Sequence, residues 1–325
     1  MRGFLSTFVP VNFKIENEMR QLKGVLLAII SSSTFGLIPL FALPAIREGV
    51  GLDSVLFYRF AISAVAVGIF LLIRKVDFRV SMKELGTFFV LGGAYASTAL
   101  FLTASYLYIP SGVATTIHFL YPVLVTAIMI AFFKDKISLP VIVATGMAIL
   151  GVWLLSRGEG QGGVGLKGLL MVLSTVVTYA IYIVGVNKSC VHRMDGLKMT
   201  FYMLFACAVI FLVNLLVKGQ GLDAMPSANA AVHVFLLALI PTLISDLTLI
   251  LAIQHVGSTT AAIMGCMEPL TAVSMGVLFL GEHFGFSQLL GVLIVLVAVF
   301  IVILANNPGH FSMKRLIPAF IRIRK

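Results

Sequence analysis

Charge is what this chain has least of: Asp, Glu, Lys and Arg make up 11% of its 325 residues, against about 25% in an ordinary soluble domain. That shortage excludes a water-solvated globular surface. Cysteine is also sparse. Cys190, Cys207 and Cys266 are odd in number and far apart, so they imply neither a disulfide framework nor a metal knot and read as small apolar packing residues. No G-x-x-x-x-G-K-[ST] loop, no H-E-x-x-H pair and no G-x-S-x-G elbow occurs. Between the apolar runs the polar stretches are too short to house a nucleotide-binding domain. Neither a cofactor nor a metal nor a catalytic residue is expected. Residues 1–21 lack a compact apolar core ending at a small-residue cleavage site, so they are expected to be a partly amphipathic cytoplasmic lead-in and not a secretory signal.

What is present is apolar length. Hydrophobic residues make up 60% of the chain and its mean hydropathy is +1.08. Runs of about 20 nearly charge-free residues each suit a helix crossing a bilayer, the open-chain element that satisfies its own backbone in lipid. Ten such spans are expected, at about 22–43, 54–73, 85–107, 111–133, 138–156, 166–186, 197–217, 231–253, 258–280 and 285–304. The fold class is therefore an all-α integral membrane protein. Very short links after the third and eighth spans require antiparallel hairpins, the second turning around 254–257.

A net charge of +10 points here to the membrane and not to nucleic acid, because the basic residues lie in turns and tails. With the amino terminus inside, eighteen of the 23 Lys and Arg fall in cytoplasmic segments. Both termini are then cytoplasmic by the positive-inside rule. The basic-apolar tail 305–325 suits an interfacial segment on an anionic leaflet.

The chain also resembles itself. A shift of 144 places Lys23-Gly24 on Lys167-Gly168 and Phe57-Tyr58 on Phe201-Tyr202, and a shift of 147 places Pro122 on Pro269 and Asp135 on Glu282. Two related five-span halves, 22–156 and 166–304, are expected on either side of a linker at 157–165. Because five is odd, the second half enters the membrane in the opposite sense, an inverted repeat.

Ionisable residues inside spans mark function by default, since ionised groups there cost at least about 2.5 kcal/mol on insertion scales. Glu268, before Pro269, and Asp246 lie about 15 Å and about 11 Å along their helices from the turn between them, at 1.5 Å per residue. They share a depth and are expected to repel one another. Exchange of a proton and a purely structural or substrate-contact role both remain open. Tyr121-Pro122 is the first-half counterpart of Glu268-Pro269. His118, one turn before Tyr121, is either a pathway residue or a histidine satisfied by a neighbouring hydroxyl. Tyr95, Ser97, Thr98, Thr115, Thr178, Tyr179, Tyr182, Thr242, Ser245 and Thr248 are candidate lining or interhelical glue. Pro39, Pro122, Pro241 and Pro269 are expected to break helices. Arg59 is expected at the outer end of its span, snorkelling or paired with Asp53 or Glu48, with direct substrate contact as the lesser alternative. Glu282 and Asp135 read as helix-end or loop contacts.

Arg59, Tyr121-Pro122, Glu268-Pro269, Gly281-Glu282 and the paired five-span layout together resemble the drug/metabolite transporter superfamily, in its ten-span branch of two EamA-type repeats. Phe133-Lys134-Asp135-Lys136 departs from the family pattern, which has Gly-Glu there, and reads as a loop variation. The resemblance implies a secondary carrier working by alternating access, with a cavity lined by spans one, three, four, six, eight and nine. It leads to an expected exporter of small polar metabolites such as amino acids in a bacterial inner membrane. A proton-coupled multidrug efflux carrier is the alternative, and a passive channel or an intramembrane enzyme is less favoured. The expected partners are a small-molecule substrate, the lipid bilayer and protons as a candidate coupling ion; the sequence leaves the oligomeric state open. The charge count predicts that a cysteine placed beside Arg193 is labelled by a membrane-impermeant maleimide only from the cytoplasmic side, and labelling from outside would reverse the topology.

Overall fold

A computed structural model describes residues 11–133, 139–156 and 165–305. The first ten residues, residues 134–138 with Asp135 among them, nearly all of the 157–165 linker and the basic tail beyond 305 lie outside them. Helices account for nearly all of what is described. Nine apolar helical stretches of at least 18 residues, three of them joining consecutive helices, are long enough to cross a membrane, and a shorter apolar helix, Met267–Phe279, joins them. The helices are α1 (Val11–Phe35), α2 (Ile38–Arg47), α3 (Leu52–Ile73), α4 (Met82–Ser105), α5 (Ser111–His118), α6 (Tyr121–Phe133) and α7 (Leu139–Ser156) in the first half. The second half holds α8 (Leu166–Lys188), α9 (Gly196–Val217), α10 (Ala228–Ala238), α11 (Ser245–Met264), α12 (Met267–Phe279) and α13 (Phe286–Ala305).

Each expected span is found, but several are built from two helices. The first is α1 plus α2, interrupted at Gly36-Leu37, and the fourth is α5 plus α6, interrupted at Phe119-Leu120. In the eighth, α10 passes into α11 through a π-helical segment at Leu239–Ile244. Residues 265 and 266 separate α11 from α12. Every interruption lies at or just before one of Pro39, Pro122, Pro241 and Pro269. In three of the four, proline occupies the first turn of the next helix, where its missing N–H removes no helical bond.

The hairpin between spans eight and nine follows from the partners of α1. Ser31 and Ser245 exchange hydroxyl-to-carbonyl hydrogen bonds of 2.8 and 2.9 Å. Gly24 packs on His255 and Val256, and Gly36 packs on the backbone of Glu268. Going from residue 245 to 256 the contacts descend α1, and by 268 they have climbed from Gly24 to Gly36, about 18 Å at 1.5 Å per residue. The stretch therefore reverses direction between Val256 and Glu268, although its backbone is helical through residues 254–257, where the sequence places the turn.

Packing respects an exchange of the two halves. The pairs α3 with α9, α5 with α12 and α7 with α13 each join corresponding spans. Two further contacts have counterparts, α4 with α8 answering α1 with α11, and α6 with α8 answering α1 with α12. Lipid gives no hydrophobic drive between helices, so close approach relies on small residues. Ala42, Ala114, Ala144, Ala252, Ala272 and Ala298 are fully or almost fully buried, while Val65, Ile69, Val90, Leu278 and Leu293 face outward.

Bonds between the halves gather at the end where α2 meets α3. Gly49, at φ +100°, closes α2 in a conformation that glycine adopts without strain, and its N–H reaches the Ile46 carbonyl. Next to it Glu48 accepts from Ser227 and Asn229, which hold its carboxyl below the ordinary range. Gly51 N donates to Asp223 at 2.9 Å, and Lys218 Nζ lies 2.5 Å from Asp53. Glu282 accepts from the first backbone N–H groups of α5, those of Ser111 (2.6 Å) and Gly112 (3.3 Å), which suits a carboxylate at a helix N-terminus. At the other end Tyr202 and Lys198 hold the carbonyls of Phe78 and Arg79.

A Cβ on Gly36 would come within 2.4 Å of the Glu268 carbonyl, whereas one on Gly93 would meet nothing within 4 Å. Gly36→Ala is predicted to cost about 1–3 kcal/mol and to lower the melting temperature in detergent, while Gly93→Ala leaves it unchanged. Equal melting of the two variants would contradict this packing.

Candidate functional site

The helix interruptions of spans four and nine deliver the central residues. His118 ends α5 and Tyr121 opens α6; 147 residues on, Glu268 is the second residue of α12. Glu268 is only 8% exposed, and its Oε1 has no hydrogen-bond partner among the described residues. A buried polar atom without a partner forfeits the hydration it had in water, so such atoms are rare outside sites with a further role. The groups in electrostatic reach of this carboxylate are the hydroxyls of Tyr106, Tyr121 and Tyr179.

Around it runs a string of aromatic rings. Tyr121 meets Tyr179 edge-on at 4.6 Å between centroids, Tyr179 lies 5.5 Å from Tyr182, and Tyr182 stacks on Tyr95 at 5.0 Å. His118 sits 5.1 Å from Tyr179. Its Nδ1 is 2.9 Å from Thr175 Oγ1, and the Thr175 hydroxyl already donates to the Val172 carbonyl. The histidine is therefore assigned as donor at Nδ1. It is satisfied by a neighbouring hydroxyl and also lines the cavity, so both of its expected roles coexist.

That cavity is narrow, about 10 Å³, room for about one water, and is walled by Phe35, Ile38, Arg59, Tyr95 and His118 of the first half with Tyr179 of the second. Arg59 departs from expectation. It is 2% exposed, and the acids expected to hold it are engaged elsewhere, Asp53 by Lys218 and Asn214 and Glu48 by Ser227 and Asn229. Its Nε donates instead to Thr242 Oγ1 at 2.9 Å. The physical reason is that loop-end partners from the second half satisfy those acids, leaving arginine to the interior. Asp246 also departs from expectation. Arg59, Tyr95, Tyr182 and Cys207 share its electrostatic surroundings, and Glu268 is not among them. Equal depth did not bring the two acids face to face, because depth along a helix says nothing of azimuth.

Other candidates act as ties. Ser245 is bonded to Ser31 across α1, and Thr178 Oγ1 lies 2.7 Å from Thr98 Oγ1 across α4. Ser97 and Thr248 bond carbonyls of their own helices. Thr115 meets the Tyr106 hydroxyl at 3.3 Å. Buried Cys207 packs against the Gly92 carbonyl as a small residue. Sequence reasoning passed over Phe35, Ile38 and Tyr106. The interruption after Phe35 was a usable signal for the first two, and Tyr106 carried none. No cluster of three or more His, Cys, Asp or Glu suited to a metal occurs among the described residues.

Comparison with known proteins bears on the whole chain. The model of the EamA-like transporter family matches residues 22–157 and again residues 166–304. The chain is 24% identical over 285 residues to an uncharacterized transporter, YdfC, of Bacillus subtilis, covering 84% of this chain and 92% of that one. An uncharacterized transporter of Archaeoglobus fulgidus is 28% identical over 143 residues, 44% of this chain and 49% of its own. A solved crystal structure superposes with a TM-score of 0.61 at 14% identity, over 87% of this chain and 98% of the other, and shows the likeness of fold.

Proposed function

We propose, from the premise that this chain belongs to the EamA-like transporter family, that it is a secondary carrier exporting small polar metabolites such as amino acids. Transport across a membrane is the family's activity. The observation that carries the finer reading is the unpartnered Glu268 oxygen in the interior, in electrostatic reach of Tyr106, Tyr121 and of Tyr179, which lines the cavity. Such an atom is suited to a substrate ammonium, which supplies the missing partner, and the tyrosine faces add cation–π attraction. Rocking of one half about the other presents that site to each side in turn. The excess of Lys and Arg on one side supports cytoplasmic termini, and the proposed location is a bacterial inner membrane.

The ring string from Tyr121 to Tyr95 favours one second reading, a proton-coupled carrier of aromatic or lipophilic cations. Both readings place the positive group at Glu268.

In proteoliposomes loaded with a labelled mixture of amino acids, the wild type is expected to release one or more of them. Glu268→Gln, which keeps the shape and removes the charge, is expected to lower that flux at least about tenfold. Wild-type flux in the variant discards the carboxylate from the pathway. Release of tetraphenylphosphonium but of no amino acid selects the second reading.

A further inference from the structure

We propose that Arg59 is a carboxylate-binding residue of the central cavity and that Thr242 is its positioning residue; this rests on the reading of the chain as a carrier of small polar metabolites. A guanidinium stays charged at any physiological pH, and burying it is costly unless its donors are met. Arg59 is 2% exposed, yet it forms no ion pair within 4.0 Å and a single hydrogen bond, Nε to Thr242, among the described residues. Five N–H donors are available to an arginine, so the two Nη groups keep four without a protein partner.

These groups belong to a residue that walls the cavity together with Tyr179 and His118. A planar fork with both terminal nitrogens free is matched by a carboxylate, which accepts two parallel hydrogen bonds from it. Asp246 shares Arg59's electrostatic surroundings without forming an ion pair with it. Opposite charge is present in the same interior at Glu268, and Tyr106 lies within electrostatic reach of both Arg59 and Glu268. A substrate that carries a carboxylate and an amine meets both demands at once.

Thr242 owes its place to the π-helical segment at Leu239–Ile244, which follows α10 and contains Pro241. It is 1% exposed, and its hydroxyl proton goes to the Leu237 carbonyl at 3.1 Å. The oxygen is left as a pure acceptor toward Arg59, fixing Nε and so the direction of the fork. Ser63, one turn along α3 from Arg59, donates to the Ala238 carbonyl at 2.9 Å and ties the same two helices. π-helical turns are rare and occur frequently at functional sites.

The test uses the full-length protein in proteoliposomes with the twenty common amino acids and their carboxamides, in which the carboxylate alone is neutralised. For whichever amino acids the wild type moves, the carboxamide is expected to show a kcat/KM lower by about tenfold or more. Thr242→Val is expected to raise KM for the acid about tenfold with kcat changed less than about twofold, and Thr242→Ser to restore it. Equal transport of acid and carboxamide by the wild type overturns the proposal while leaving the carrier reading intact. An unchanged KM in a folded Thr242→Val variant overturns the role of Thr242. A wild type that moves none of the twenty removes the carrier reading and this proposal with it. The acid-against-carboxamide comparison needs no variant, so it decides even if every substitution misfolds.

Discussion

In hydrocarbon a backbone N–H or C=O has no water to turn to, so each helix that crosses must satisfy itself, and each interruption must be covered by protein or line a cavity. The rest of this structure depends on that constraint. Interruptions fall at Gly36-Leu37, Phe119-Leu120, Leu239–Ile244 and residues 265–266, and all four bring residues to the middle of the bundle. Phe35, His118, Tyr121, Thr242 and Glu268 are each within about one helical turn of one of them. The polar interior exists because the spans are broken there. Gly36 completes the arrangement by letting α1 lie against the Glu268 carbonyl.

Around these breaks the halves are held together in two ways. Small residues let helices approach in the membrane interior, and carboxylates bridge loop ends at its edge, as with Glu282 on the N-terminus of α5 and Asp53 on Lys218. Exposed ion pairs are individually worth little. Their position matters more than their strength, since each joins one half to the other. The contacts between the halves at this end of the bundle are several and individually weak.

Much of this was legible in the sequence. Ten apolar runs, the 147-residue shift and four prolines foretold the spans, the inverted halves and the interruptions. Glu268 and Tyr121 were correctly matched because proline marks the same helix break twice. Arg59 was misplaced because its distance along the helix suggested the outer end and nearby acids, whereas Asp53 and Glu48 are claimed by residues more than 160 positions away. The supposed repulsion between Asp246 and Glu268 failed for a related reason: rise per residue fixes depth, but the direction a side chain faces depends on packing. Family membership, found independently over both halves, supports the architecture and leaves the chemistry of the site to these residues.

The central claim is that substrate sits at the interior cavity walled by Arg59 and Tyr179, with Glu268 in electrostatic reach of Tyr179, and not in the polar cleft of about 630 Å³ beside Asp53, Lys218 and Asp223 at the bundle's end. Anomalous scattering from a crystal grown with a brominated analogue of a transported substrate tests it most directly. The account predicts one bromine peak beside Tyr179 and His118. A single peak in the end cleft, with the interior empty, would contradict it.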